Sequence, residues 1–156
     1  MDASIIDDSE DLYRSVRADS NEYSYQSGKL LFSSTAFDDR SMRPSVDRSA
    51  IRTDPTEARR NPTDGIAKIL TKDVRQCCSV PIIKNGTPVG DHAVDAIHHP
   101  IENDPVEPDN LAHSQIECNP IIESGSRFRR LKEALAKLAN AHGFVVSPTS
   151  AKKSAL

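Results

Sequence analysis

The order of apolar and polar residues divides the chain into many short stretches and one long periodic one. Over Asp11-Leu12-Tyr13-Arg14-Ser15-Val16-Arg17, bulky and polar residues alternate with period two, which predicts a short strand. Lys29-Leu30-Leu31-Phe32 is the first dense apolar cluster, and it runs into Ser33-Ser34-Thr35-Ala36-Phe37. Pro44 favours an extended entry to Ser45-Val46-Asp47-Arg48-Ser49. Asp54 followed by Pro55 starts one helical turn, which Pro62 stops. Gly65 to Leu70 reads as a strand, and Thr71 is placed to cap a short helix from Lys72 to Cys77. Ser79 to Ile83 is extended, and Asn85-Gly86 is a turn signal. Ala93 to His98 fits either a strand or a helical turn. Ala112 to Cys118 is strand-like, with His113, Gln115 and Glu117 on one face.

The long periodic stretch comes last. Phe128, Leu131, Leu135 and Leu138 form one helical stripe within residues 127–141. Four alanines raise the propensity of this stretch, and Ser126 is its expected N-cap. Gly143 is the expected terminator. The expected fold is α+β: a small mixed or antiparallel sheet packed against one long carboxy-terminal helix. One domain spans 11–146, with a Pro-rich acidic loop at 100–110. The acidic residues 1–10 and the segment 147–156 are expected to be flexible ends.

Composition sets limits on this picture. The 156 residues are 37% apolar and contain no Trp. No apolar run approaches the ~20 residues that a membrane-spanning helix needs. The start, Met1-Asp2-Ala3-Ser4, has neither a basic nor an apolar export region, which points to a cytoplasmic location. Three cysteines, Cys77, Cys78 and Cys118, fit a reducing compartment better than a disulfide framework.

The net charge of −3 conceals segregation. Residues 2–19 carry −4, residues 40–60 carry +3, residues 91–109 hold six acids and no Lys or Arg, and residues 127–137 carry +4. Alternating blocks suit self-complementary packing or a partner protein better than a polyanion, which would favour one long basic run. Nucleic acid is therefore not the expected partner.

Three constellations carry candidate chemistry. His92, His98, His99 and His113 with the three cysteines have the right residue types for a metal, but their spacing fits no ligand pattern, and no metal or cofactor is expected. Arg14, Arg48, His113 and Ser34 would suit an enzyme or nucleotide-binding pocket of the ADP-ribosyl-transferring kind. In it an arginine clamps an anion, His113 acts as base and Ser34 supplies a hydroxyl. The plainer alternative makes Asp47 and Arg48 a structural ion pair and His113 a satisfied strand residue. Lastly, Ser126, Arg127, Arg129 and Arg130 put three cations in the first turn of a helix, where the dipole prefers acids. Their expected counterpart is an acidic protein surface, either a partner or residues 102–109 of this chain.

The string Ser34-x-Ala36-Phe37, then Ser45-Val46-Asp47, then Ala112-His113-Ser114-x-Ile116 resembles a loose group of small bacterial proteins without an assigned activity. The resemblance implies one compact domain and a bacterial source, not a reaction. The leading expectation is a protein-binding module, an accessory subunit of a bacterial multi-gene system. The alternative is an enzyme that brings His113 and Arg48 into one concave pocket.

Overall fold

A computed structural model describes residues 4–149. Nine strands and two helices follow one another: β1 Asp11–Val16, β2 Tyr23–Gln26, β3 Lys29–Phe32, β4 Ser45–Arg48, β5 Gly65–Leu70, α1 Thr71–Cys77, β6 Ser79–Lys84, β7 Thr87–His98, β8 His113–Asn119, α2 Gly125–Asn140 and β9 Phe144–Val146. Short 3-10 turns at Ser34–Phe37 and Pro55–Ala58 punctuate the first half. Seven strands form one sheet in the order β6-β7-β8-β4-β1-β5-β9, while β2 and β3 form a separate hairpin. Every pairing in both is antiparallel. The α+β class holds, with a sheet larger than expected. The short helix expected at 72–77 is present as α1, and the long helix α2 does not close the chain, because β9 follows it and returns to the sheet edge.

The parity of β1 explains the layering. Leu12, Arg14 and Val16 are buried on one face, and Tyr13 and Ser15 are half-buried on the other. Helix α2 presses its apolar stripe of Phe128, Leu131 and Leu135 into the same core as Leu12, Val46, Ile69, Val80 and Ile116. The opposite face of the central strands carries Tyr13, Ser15, Ser45, Asp47 and His113. Its polar character lets it border water.

Local chemistry corrects several boundaries. Helix α2 is capped by Ser124, whose hydroxyl accepts the Arg127 N–H at 3.4 Å, so Ser126 lies inside the first turn. Thr71 does not cap α1: its N–H and hydroxyl both bond to the Glu10 carbonyl, at 3.0 and 2.8 Å. Asp54 caps the 3-10 turn as expected, accepting the Thr56 N–H at 3.0 Å. Asn85 and Gly86 both take positive φ, as a tight hairpin turn between β6 and β7 requires. Ala93 to His98 is strand, not helix.

Residues 4–10 of the acidic start are held in place. Ile6 is 1% exposed within the core, and the Lys72 N–H donates to the Asp8 carbonyl. Residues 1–3 and 150–156, at the two expected flexible ends, lie outside the described residues. No helix among those described is long and apolar enough to cross a membrane.

Candidate functional site: a cleft on the polar face of the sheet

A cleft of about 500 Å³ opens on the sheet face turned away from α2. Its floor is Tyr13, Ser15, Ser45, Asp47 and His113, and its walls come from the Arg52–Arg60 segment and from Ile101 with residues 107–110. The register builds the floor: Tyr13 stands opposite Asp47, which stands opposite His113. Adjacent strands thus place their outward side chains side by side.

A polar lattice ties the walls to the floor. Asp47 accepts from Asn110 Nδ2 at 2.8 Å and from Arg52 Nε at 3.4 Å, and Arg52 Nη2 donates to Asn110 Oδ1 at 3.0 Å. Ser15 donates to Asp64 at 2.8 Å and accepts the Arg60 N–H at 3.1 Å. Half-buried Tyr13 has its phenol pushed above the usual range by desolvation and then by Asp11.

His113 is held at both ring nitrogens. Nδ1 lies 2.7 Å from the His99 carbonyl and Nε2 lies 3.1 Å from Ser45 Oγ. A carbonyl only accepts, so in the neutral ring Nδ1 carries the proton and Nε2 offers its lone pair to the Ser45 hydroxyl.

Of the residues grouped by the enzyme reading, Arg14 and His113 line the cleft, whereas Arg48 and Ser34 do not. Arg48 points to the other face, because neighbours on a strand project to opposite sides. There it forms a bidentate pair with Glu10, Nε to Oε2 and Nη2 to Oε1 both at 2.9 Å, with both side chains 7% exposed. The hydrogen bond to Glu10 holds the Arg48 guanidinium above its ordinary range. Asp47 and Arg48 are therefore not partners; Asp47 pairs with Arg52. Arg14 reaches the cleft wall, but its donors are committed to the carbonyls of Ala36, Ser45 and Asp38, each at 2.8 Å. Burial pulls it down to about 10, so it stays charged at neutral pH. Ser34 opens the 3-10 turn beside α2 and lines a different groove, with Phe32, Pro81 and Arg130.

The histidine and cysteine constellation also stays apart. Among the described residues no group of three His, Cys, Asp or Glu side chains is arranged to hold a metal ion. His92 is 1% exposed, with Nδ1 bonded to the Pro120 carbonyl. His99 stacks edge-on against His113 with ring centres 5.8 Å apart, and His98 is half-buried at the end of β7. Cys78 is buried and Cys118 half-buried, and desolvation pushes the Cys118 thiol up to about 11. The Cys77 side chain lies outside the described residues.

The arginine-rich helix start is open to solvent. Arg129 and Arg130 are exposed, as is Ser126, and Arg127 donates to the Ile83 carbonyl at 3.2 Å. None of the ion pairs found among the described residues joins these arginines to residues 102–109. Beside them the β6–β7 hairpin exposes Ile83 (38%) and Val89 (56%), and the β8–α2 link exposes Ile121 (71%). Register places these residues at one end of the sheet: Val80 opposes His92 and Ala93 opposes Asn119, so the hairpin tip and Ile121 lie beyond that line together.

The enzyme reading joins Arg48 to His113, and the strands that carry them do pair, as β4 and β8, although the two side chains face opposite sides. It missed Ser45 itself as the His113 partner and Asn110 as the wall anchor. The parity of β4, Ser45 and Asp47 against Val46 and Arg48, was the available signal. No family model, curated protein or solved structure matches this chain.

Proposed function

We propose that the chain is a protein-binding module whose partner presents an acidic surface to the start of α2. One observation carries this reading: Arg129 and Arg130 sit exposed in the second turn of α2, with no carboxylate in ion-pair distance among the described residues, beside exposed Ile83, Val89 and Ile121. The structure corrects the expectation of three cations in the first turn: only Arg127 is there, where the dipole opposes it by ~0.3–1 kcal/mol, and Arg129 and Arg130 follow as unpaired cations that an acidic partner would neutralise. Apolar anchors ringed by charges make the usual core and rim of an interface. Separation of Arg48 from His113 supports this reading over the four-residue enzyme pocket. The role of accessory subunit in a bacterial multi-gene system, in the cytoplasm, belongs to the same proposal, as does kinship with the small bacterial proteins noted above.

The test is capture from a lysate of the source cells, with the bound protein identified by mass spectrometry. The variant Arg127→Glu, Arg129→Glu, Arg130→Glu should lose capture of an acidic protein at least tenfold, with unchanged circular dichroism. His113→Ala should retain capture. Equal capture by the triple variant, or recovery of nucleic acid instead, overturns the proposal.

A further inference from the structure

We propose that Ser45 is an activated nucleophile, with His113 as its general base, and that the cleft takes a small acyl ester carrying an anionic group. The reading rests on three parts found together. The Ser45 hydroxyl meets His113 Nε2 at 3.1 Å. The His99 carbonyl holds Nδ1 at 2.7 Å, which fixes the ring and the tautomer that leaves Nε2 as acceptor. Both Ser45 and His113 line an open cleft of about 500 Å³, so the hydroxyl has room for a substrate beside it. Nucleophile, base and orienting group in this relation are the general arrangement of covalent catalysis by serine.

The backbone makes the arrangement rigid. The Ser45 carbonyl is clamped by buried Arg14 at 2.8 Å, and the Ile116 N–H donates to the Pro44 carbonyl at 2.9 Å. The His99 N–H returns a bond to the His113 carbonyl at 3.0 Å, so ring and acceptor move as one unit. The charge preference follows from the wall. Arg52 is paired with Asp47 and Glu57, and Arg59 donates to the carbonyls of Thr56 and Pro62. Exposed Arg60 lines the same wall, and among the described residues its side chain has no hydrogen bond or ion pair to give up on pairing with an anionic group.

The chemistry balances without a cofactor. Ser45 Oγ attacks the ester carbonyl carbon while its proton passes to Nε2, and the imidazolium keeps its Nδ1–H on the His99 carbonyl. The C–O bond to the alcohol breaks, and the departing oxygen takes the Nε2 proton. Water, deprotonated by Nε2, then attacks the acyl-serine, releasing the acid and restoring the Ser45 hydroxyl. One ester and one water become one acid and one alcohol.

The full chain would be incubated with a fluorophosphonate probe and mapped by peptide mass spectrometry. A single adduct on Ser45 is expected, absent in urea and absent in Ser45→Ala. Its formation rate should rise with pH through one titration, and His113→Gln should slow it at least about 100-fold with circular dichroism unchanged. An unmodified native chain, an adduct elsewhere, a flat pH profile or an equal rate in His113→Gln each overturns the proposal. The pH profile needs only the native chain, so the test survives a variant that fails to fold. Hydrolysis of p-nitrophenyl succinate should exceed that of p-nitrophenyl acetate, and Arg60→Ala should remove the difference. Equal rates for the two esters in the native chain overturn the assigned anionic preference.

Discussion

Glu10 and Arg48 show what a buried charge costs and what it organises. Each is worth little alone, because taking an ion out of water costs several kcal/mol unless a partner and further hydrogen bonds replace the water. The two 2.9 Å bonds supply that partner, and the Ala50 N–H adds a third contact to Glu10 at 3.4 Å. Glu10→Ala should therefore cost about 3–5 kcal/mol by removing the carboxylate that neutralises buried Arg48. The double change Glu10→Met with Arg48→Met should cost clearly less. Urea titrations of the three chains check this, and equal losses would refute the pairing energetics. Cys118 gives a second residue-level test. A thiol pushed up to about 11 by desolvation is almost wholly protonated at neutral pH, and the thiolate is the reactive form. Iodoacetamide at pH 7.5 should leave Cys118 unmodified for as long as the chain is folded and alkylate it in urea, as peptide mapping would show.

At the scale of elements, the helix caps separate a reading of composition from a reading of geometry. The sequence predicts Ser126 as the N-cap on residue type alone. The chain instead enters the helix at Gly125, so the Ser124 hydroxyl meets the Arg127 N–H. Ser124→Ala should cost about 0.5–2 kcal/mol, while Ser126→Ala should stay within about 0.5 kcal/mol. Thermal melts distinguish them, and a larger loss for Ser126 would restore the original assignment. The same contrast explains what the sequence made legible. Period-two alternation in β1 and β8 and the stripe of α2 survive because burial of one face enforces them. The hairpin of β2 and β3 was invisible at its first strand, since Tyr23-Ser24-Tyr25-Gln26 is mostly polar and its strand state comes from pairing with Lys29–Phe32. Thr71 was misjudged for a related reason. A carbonyl 61 positions away in sequence competes for its hydroxyl. Likewise, the meeting of Ser45 with His113, separated by 68 positions, depends on the β4–β8 register, which no local signal encodes.

The whole molecule is organised by two faces with different tasks. The inner face holds α2 and the apolar core, and the outer face holds the cleft. The arginine-rich start of α2 and the hairpin tip lie at one end of the sheet. Charge segregation in the sequence becomes partly spatial: Arg52, Arg59 and Arg60 join the cleft wall and Arg48 the core, while Arg40, Arg43, Arg129 and Arg130 reach solvent. The acidic start serves as a fastener. Asp8 and Glu10 accept backbone bonds from Lys72 and Thr71, and Asp8 also pairs with Arg75 at 2.6 Å. A chain beginning at Asp11 should lose Ile6 and the Glu10 partner together and melt well below the full chain. An unchanged melting temperature would show that residues 4–10 add nothing to the fold.

The strand order also dictates when the protein can finish folding on the ribosome. β1 is made early but sits between β4 and β5, and the outer neighbour of β5 is β9, begun only at Phe144. Gly65 packs so closely there that an added Cβ would lie 2.8 Å from the Phe144 ring and from Pro148. At ~5–20 residues per second, the interval from Leu70 to Phe144 lasts about 4–15 s. Throughout it the apolar strand Gly65–Leu70 carries an unpaired rim, a window in which the nascent chain is most open to chaperones and to pairing with its neighbours on the same messenger.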